Sequence, residues 1–222
     1  MTSADGSVVR FGVDDLPEQL QAFAQRYPDA VADRRGLTFV AGAARLRPPL
    51  LAPRPRVGQP VVSYLERLAV DARPGDAERH LVLLLRAGAA AVGYWEGDEL
   101  LDHKALAAYV VRGNGKAQPT YLASRGKSRY GSRLRLQNWR RLLTDVSERL
   151  RRCEEQFGAP ERIFLGMPVR LLAELWSADP APPFAHDDAR VQRLPLHVFR
   201  PDFAELQRVR AWMATGALEL PD

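Results

Sequence analysis

The stretch HLVLLLRAGAAAVGYWEGDELLDHKALAAYVV, His80 to Val111, decides the fold. Leu81 to Leu85 are five consecutive aliphatic residues, the run of a strand buried on both faces. Ala87-Gly88 turns the chain. Ala89 to Glu96 is a second strand of small and aromatic residues, and Gly97-Asp98 has the composition of a two-residue hairpin. Glu99 to Val111, where polar and apolar residues mix, is a third strand. Three strands joined by short turns predict an antiparallel meander.

Downstream the period changes. Trp139, Leu142, Leu143, Val146, Leu150, Cys153 and Phe157 recur at spacings of three and four, which predicts an amphipathic helix stopped by Gly158 and Pro160. Arg162 to Leu165 reads as a strand, Pro168 to Trp176 as a helix, Arg190 to Phe199 as a strand and Asp202 to Met213 as a capped helix. A meander followed by αβαβα predicts an α/β fold of the α+β kind, a mixed sheet of about five strands with helices packed on it. Ribonuclease-H-like folds share this order, as does the middle domain of eukaryotic-type class-one release factors.

Upstream, Asp14 to Tyr27 predicts a helix with Asp15 as cap and Leu16, Leu20, Phe23 and Ala24 on one face. Gly36 to Val40 is a short strand and Val61 to Val70 a second helix. Between them, Arg47 to Pro60 holds five prolines and reads as an extended linker. The division expected is a small N-terminal segment, 1–75, of unassigned role, and a catalytic domain, 76–222.

Apolar residues make up 46% of the 222 and charged residues 27%, which excludes wholesale disorder and a collagen-like chain. No apolar run reaches the roughly 18–20 residues of a membrane span, and Met1 to Arg10 has no apolar signal core. The single Cys153 allows no internal disulfide. A cytoplasmic, monomeric protein with no membrane partner is expected.

The formal net charge of +5 is unevenly held. Arg112 to Arg152 contains twelve bases and two acids, a net of about +10; the other 181 residues hold twenty bases and twenty-five acids, about −5. Within the basic block, Arg112 to Tyr130 has almost no apolar content, the composition of a long polar loop. Gly113, Gly115, Gly126 and Gly131 permit backbone conformations closed to other residues. Gln118 carries a neutral amide, donor and acceptor together, among Arg112, Lys116, Arg125, Lys127, Arg129, Arg133, Arg135, Arg140 and Arg141. Such a loop suits a phosphate-lined cavity, where the bases hold RNA phosphates and an amide places a water or stabilises an oxyanion.

The run from Tyr109 through Arg112-Gly113 and Ala117-Gln118 to Gly131, Leu134, Arg135 and Asn138 resembles the release-factor-like domain of the Vms-type peptidyl-tRNA hydrolases. These act in ribosome-associated quality control and are distant relatives of class-one release factors. The resemblance implies that Gln118 matches the loop glutamine that enters the peptidyl-transferase centre. It implies the large ribosomal subunit and peptidyl-tRNA as partners, no cofactor and no metal. Lys116-Ala117-Gln118 stands where release factors have Gly-Gly-Gln. Two routes follow: hydrolysis of the peptidyl-tRNA ester by a water that Gln118 positions, which the analogy favours, or cleavage of the tRNA near its 3′ end.

Two readings of other classes stay open. The basic block alone suffices for a non-enzymatic RNA- or ribosome-binding protein. A metal-dependent nuclease needs converging carboxylates; Asp98, Glu99 and Asp102 fall at a hairpin, and Asp179, Asp187 and Asp188 in a loop. His80, His103, His186 and His197 share no ligand spacing. Gly113-Asn114-Gly115 lacks the Gly-Lys-Ser/Thr of a phosphate loop, the four tryptophans lie on apolar faces, and Cys153 belongs to the apolar side of its helix.

Overall fold

The computed structural model describes residues 8–71, 78–109 and 127–221, without the side chains of 71 and 127–132. The chain divides into two compact units, one of residues 1–76 with 208–222, the other of 77–207.

The first unit contains β1 (Val8–Phe11), α1 (Leu16–Arg26), β2 (Val31–Ala32), β3 (Phe39–Ala41), β4 (Ala44–Arg47) and α2 (Val61–Asp71). Leu16, Leu20, Phe23 and Ala24 of α1 are buried, as their spacing predicts. They pack in one core with Phe39, Leu46, Val61 and Tyr64. Asp15 stands at the N-cap but makes no capping bond; its carboxylate accepts the Gly12 N–H at 3.1 Å. The strand expected over 36–40 begins at Phe39, because Asp33 Oδ1 accepts the N–H groups of Arg35 and Leu37 and folds 33–37 into a turn. The supposed linker is packed rather than free: Arg47 ends β4, Leu50 and Ala52 are buried, and Pro53 accepts the Tyr64 hydroxyl at 2.6 Å.

The second unit opens with β5 (Arg79–Arg86), β6 (Ala89–Glu96) and β7 (Glu99–Ala107). It continues through α3 (Lys127–Phe157), β8 (Arg162–Gly166), α4 (Val169–Trp176) and β9 (Val191–Arg193). Then α5 (Phe203–Met213) carries the chain back to the first unit and β10 (Gly216–Glu219). The sheet order is β7-β6-β5-β8-β9, antiparallel across the meander and parallel at β5-β8 and β8-β9, the mixed five-stranded sheet expected. Leu81, Leu83 and Leu85 pack against α3 and α4, while Val82 and Leu84, on the opposite face, are equally buried. Gly97 makes the hairpin turn with φ +55°, and Gly93 lies under the Trp95 indole, where a Cβ would fall 2.3 Å from the ring.

Four boundaries differ from the sequence reading. β7 ends at Ala107, four residues short of Val111, after which the Ala108 N–H bonds the Gly88 carbonyl at 2.9 Å. β9 is three residues long, not ten: the Leu194 N–H still reaches the Leu165 carbonyl, but Pro195 has no N–H to continue the ladder. α3 starts at Lys127, twelve residues before Trp139, the first buried side chain among those described. Residues 208–222, read as part of the second domain, belong with the first unit, where β10 lies between β1 and β4 in a sheet ordered β1-β10-β4-β3-β2.

Candidate functional site

The site is built where β7 gives way to α3. β7 ends at Ala107, Tyr109 is the last described residue beyond it, and the chain is helix from Lys127. Gln118, Arg112, Gly113, Gly115, Lys116, Arg125 and Gly126 lie outside the described residues. Lys127, Arg129 and Gly131, expected in the loop, fall in the first turns of α3. Gly131 is therefore a helical position and not a loop hinge; a helix tolerates one glycine at about 1 kcal/mol relative to alanine.

One hydrogen bond links the chain on the two sides of 110–126. The Asn138 side-chain amide donates to the Tyr109 carbonyl at 2.9 Å. Asn138 stands eleven residues into α3, roughly 16 Å along the axis at ~1.5 Å per residue. The first three turns thus run beyond the tie as an arm. Its described side chains, 133–138, are exposed or half-buried, with Leu134 40% and Leu136 50% exposed.

The arm is electrostatically one-signed. Residues 127–141 hold six bases and no acid. Arg133, Arg140 and Arg141 are exposed and form no ion pair among the described residues. The positive end of the helix dipole adds to this field, so the arm attracts polyanions.

Below the arm, α3 is fastened to its surroundings. The Trp139 indole N–H donates to Glu174 Oε2 on α4 at 2.5 Å, and Thr144 Oγ1 donates to the Asp179 carbonyl at 2.8 Å. A cleft of about 510 Å³ runs between α3 and α4, lined by Leu136, Trp139, Arg140, Thr144, Glu174 and Asp179 among others. On the sheet side Arg149 forms an ion pair with Asp102 of β7, and Cys153 Sγ donates to the same carboxylate at 3.7 Å. Burial pushes the Cys153 thiol up to about 11, so it stays protonated and inert near neutrality. Asp102 is thus engaged in holding α3.

The histidines do not converge. His80 is buried and stacked on Trp95, with centroids 5.5 Å apart, His103 packs 4.2 Å from the Phe203 ring, and His186 lies beside Asp187. Among the described residues no three His, Cys, Asp or Glu side chains are grouped to hold a metal ion. Trp95 and Trp139 are buried as expected, while Trp212 is half-buried with the Arg47 guanidinium 4.7 Å from its ring centroid. The tie from Asn138 was not legible as a tie: the motif marks the residue, but its partner is a backbone carbonyl 29 positions away.

The family model described as the Bacteroidetes VLRF1 release factor matches residues 80–219, from the start of the meander to the end of β10. The chain belongs to the Bacteroidetes VLRF1 release factor family. This VLRF1 release factor chain is 32% identical over 148 residues to the mouse (Mus musculus) protein named tRNA endonuclease ANKZF1; the match covers 65% of the chain and 20%, one fifth, of the mouse protein. The solved structure titled Vms1 mitochondrial localization core superposes with a TM-score of 0.51 at 12% identity, covering 100% of this chain and 86% of that one. That likeness is one of fold. The resemblance to the Vms-type release-factor-like domain and the mixed α/β architecture are both borne out.

Proposed function

We propose that this chain is a peptidyl-tRNA hydrolase that frees nascent chains from stalled ribosomes. Gln118 is the catalytic residue, Gly113, Gly115 and Gly126 give its loop freedom, and the bases from Arg112 to Arg141 hold RNA phosphates. The single observation that supports this reading is the hydrogen bond between Asn138 and Tyr109, in a member of a release factor family. The two residues flank Gln118 in sequence, and the helix that follows it opens with an acid-free arm. The catalytic domain begins at about residue 76, and the molecule works as a cytoplasmic monomer on the large subunit.

The chemistry asked of Gln118 is modest. Its amide orients a water against the ester carbonyl carbon, and nearby N–H donors stabilise the oxyanion that develops. The water proton ends on the departing ribose oxygen, leaving a peptide carboxylate and an intact tRNA 3′ end. The chain offers no separate general base, so substrate and ribosome supply that part of the geometry. A second reading is supported by the mouse relative named a tRNA endonuclease: the same loop promotes scission of the tRNA near its 3′ end.

Stalled ribosome–nascent-chain complexes with labelled peptidyl-tRNA test both. Release by the wild type and its loss in Gln118→Ala are expected, and equal release by the two would falsify the assignment. Gel analysis of the tRNA 3′ end separates an intact terminus from a shortened one.

A further inference from the structure

A second group of arginines lies in the first unit, apart from everything the release reading uses. Arg34 and Arg35 sit between β2 and β3, Arg54 and Arg56 between β4 and α2, and Arg67 on α2. Backbone carbonyls draw them together: Arg54 Nη2 donates to the Arg35 carbonyl at 2.5 Å, and Arg67 Nη2 to the Arg54 carbonyl at 2.7 Å. The two loops are in close contact, since a Cβ on Gly36 would fall 2.5 Å from the Pro55 carbonyl oxygen and 3.5 Å from Arg54 Nε. The Arg67 guanidinium lies 5.1 Å from the ring centroid of buried Tyr64.

The bond to the Arg35 carbonyl holds the Arg54 guanidinium in place without neutralising it. Arg34, Arg35, Arg54 and Arg56 are exposed and form no ion pair among the described residues. The neighbouring acid, Asp33, directs Oδ1 to the backbone N–H groups of Arg35 and Leu37, and Glu66 is exposed without an ion pair among the described residues. Several like charges fixed close together are destabilising unless a polyanion joins them. The guanidinium fork matches phosphate oxygens in pairs and loses little freedom when its side chain is already positioned.

We propose that Arg34, Arg35, Arg54 and Arg56 form a second RNA-binding surface that takes the phosphate backbone. The choice of RNA as the polyanion rests on the release-factor reading; the surface itself does not depend on Gln118.

The test is fluorescence anisotropy of the full chain with a labelled single-stranded oligoribonucleotide across a salt series. The variant Arg34→Gln/Arg56→Gln changes two exposed residues whose side chains make no hydrogen bond or ion pair among the described residues, so it folds as wild type, which circular dichroism checks. Removing two phosphate contacts is expected to lower affinity about 25-fold at about 0.1 M salt and to reduce the slope of log K against log salt by about 1.4. Unchanged affinity and slope overturn the proposal. So does loss of binding to polyglutamate with RNA binding intact, which makes the surface a site for acidic protein. Peptide release is measured on the same proteins in parallel. If no variant releases peptide yet the double variant loses RNA, the release reading fails while the surface stands. Normal release with unchanged RNA binding sinks the surface alone.

Discussion

The Asn138 side-chain amide bonds the Tyr109 carbonyl at 2.9 Å, joining the last described residue of the strand side to the fourth turn of α3. A single neutral hydrogen bond on a half-exposed residue contributes about 0.5–1.5 kcal/mol, too little to hold the fold but enough to fix where the loop starts. Asn138→Ala should therefore lower peptide release several-fold while moving the thermal midpoint by only about 2–6 °C. Release kinetics and a thermal melt on the same preparation check this; wild-type release would show that the tie has no part in the reaction.

Asp102 and Arg149 pin the far end of the same helix. Their side chains are 21% and 16% exposed, so each is desolvated enough to suffer when left alone. Asp102→Asn or Arg149→Met should cost about 2–3 kcal/mol in urea unfolding. The paired change Asp102→Leu/Arg149→Leu should recover part of that loss, because no lone charge remains.

Gly93 leaves no room for a side chain beneath Trp95, whose indole stacks on His80 at 4° between planes. Gly93→Ala should destabilise by about 1–3 kcal/mol. Trp95→Leu in the same chain should relieve the clash, so the double variant loses less than the two single losses together. Non-additivity in a denaturation cycle is the readout.

Alkaline pH should unfold the second unit through two groups. Burial holds the Cys153 thiol at about 11 against an ordinary 9.0, and the Tyr94 hydroxyl, donating to the Gly158 carbonyl, at about 12 against 10.0. In the window between each pair of values the unfolded chain has released its proton and the folded one has not. Stability is thus full below about pH 9 and falls through pH 9–11 for Cys153 and pH 10–12 for Tyr94. Cys153→Ala should flatten the first part of that decline in urea midpoints measured from pH 8 upward.

What could be read from the sequence is what local periodicity records. Leu81 to Leu85 announce a strand buried on both sides, and Trp139 to Cys153 announce a helix with one buried face; both stand as read. In α3 ahead of Trp139 the described side chains, 133–138, include no buried one, and the glycine and arginine content there reads as loop. β1, β2, β4 and β10 are strands of two to four residues, too short for alternation to register, and β10 pairs with β1 and β4, both distant in sequence. Within the site, the basic charge is a compositional fact and was legible. The ties at Asn138 and Arg149 were not, because each depends on which residue of β7, or of the backbone just beyond it, faces the helix.

β10 also sets an order of events. It is the inner strand that pairs with β1 on one side and β4 on the other, and β1 has no other strand partner among the described residues. During synthesis β1 and β4 emerge well before Gly216–Glu219. The first sheet therefore cannot close before Gly216–Glu219 has been made, whereas the meander of the second unit, built from neighbours in sequence, can pair as it appears. A ribosome that stalled on this message before codon 216 would hold a product with one unit able to pair its strands and the other open, dependent on release for nothing but unable to finish itself.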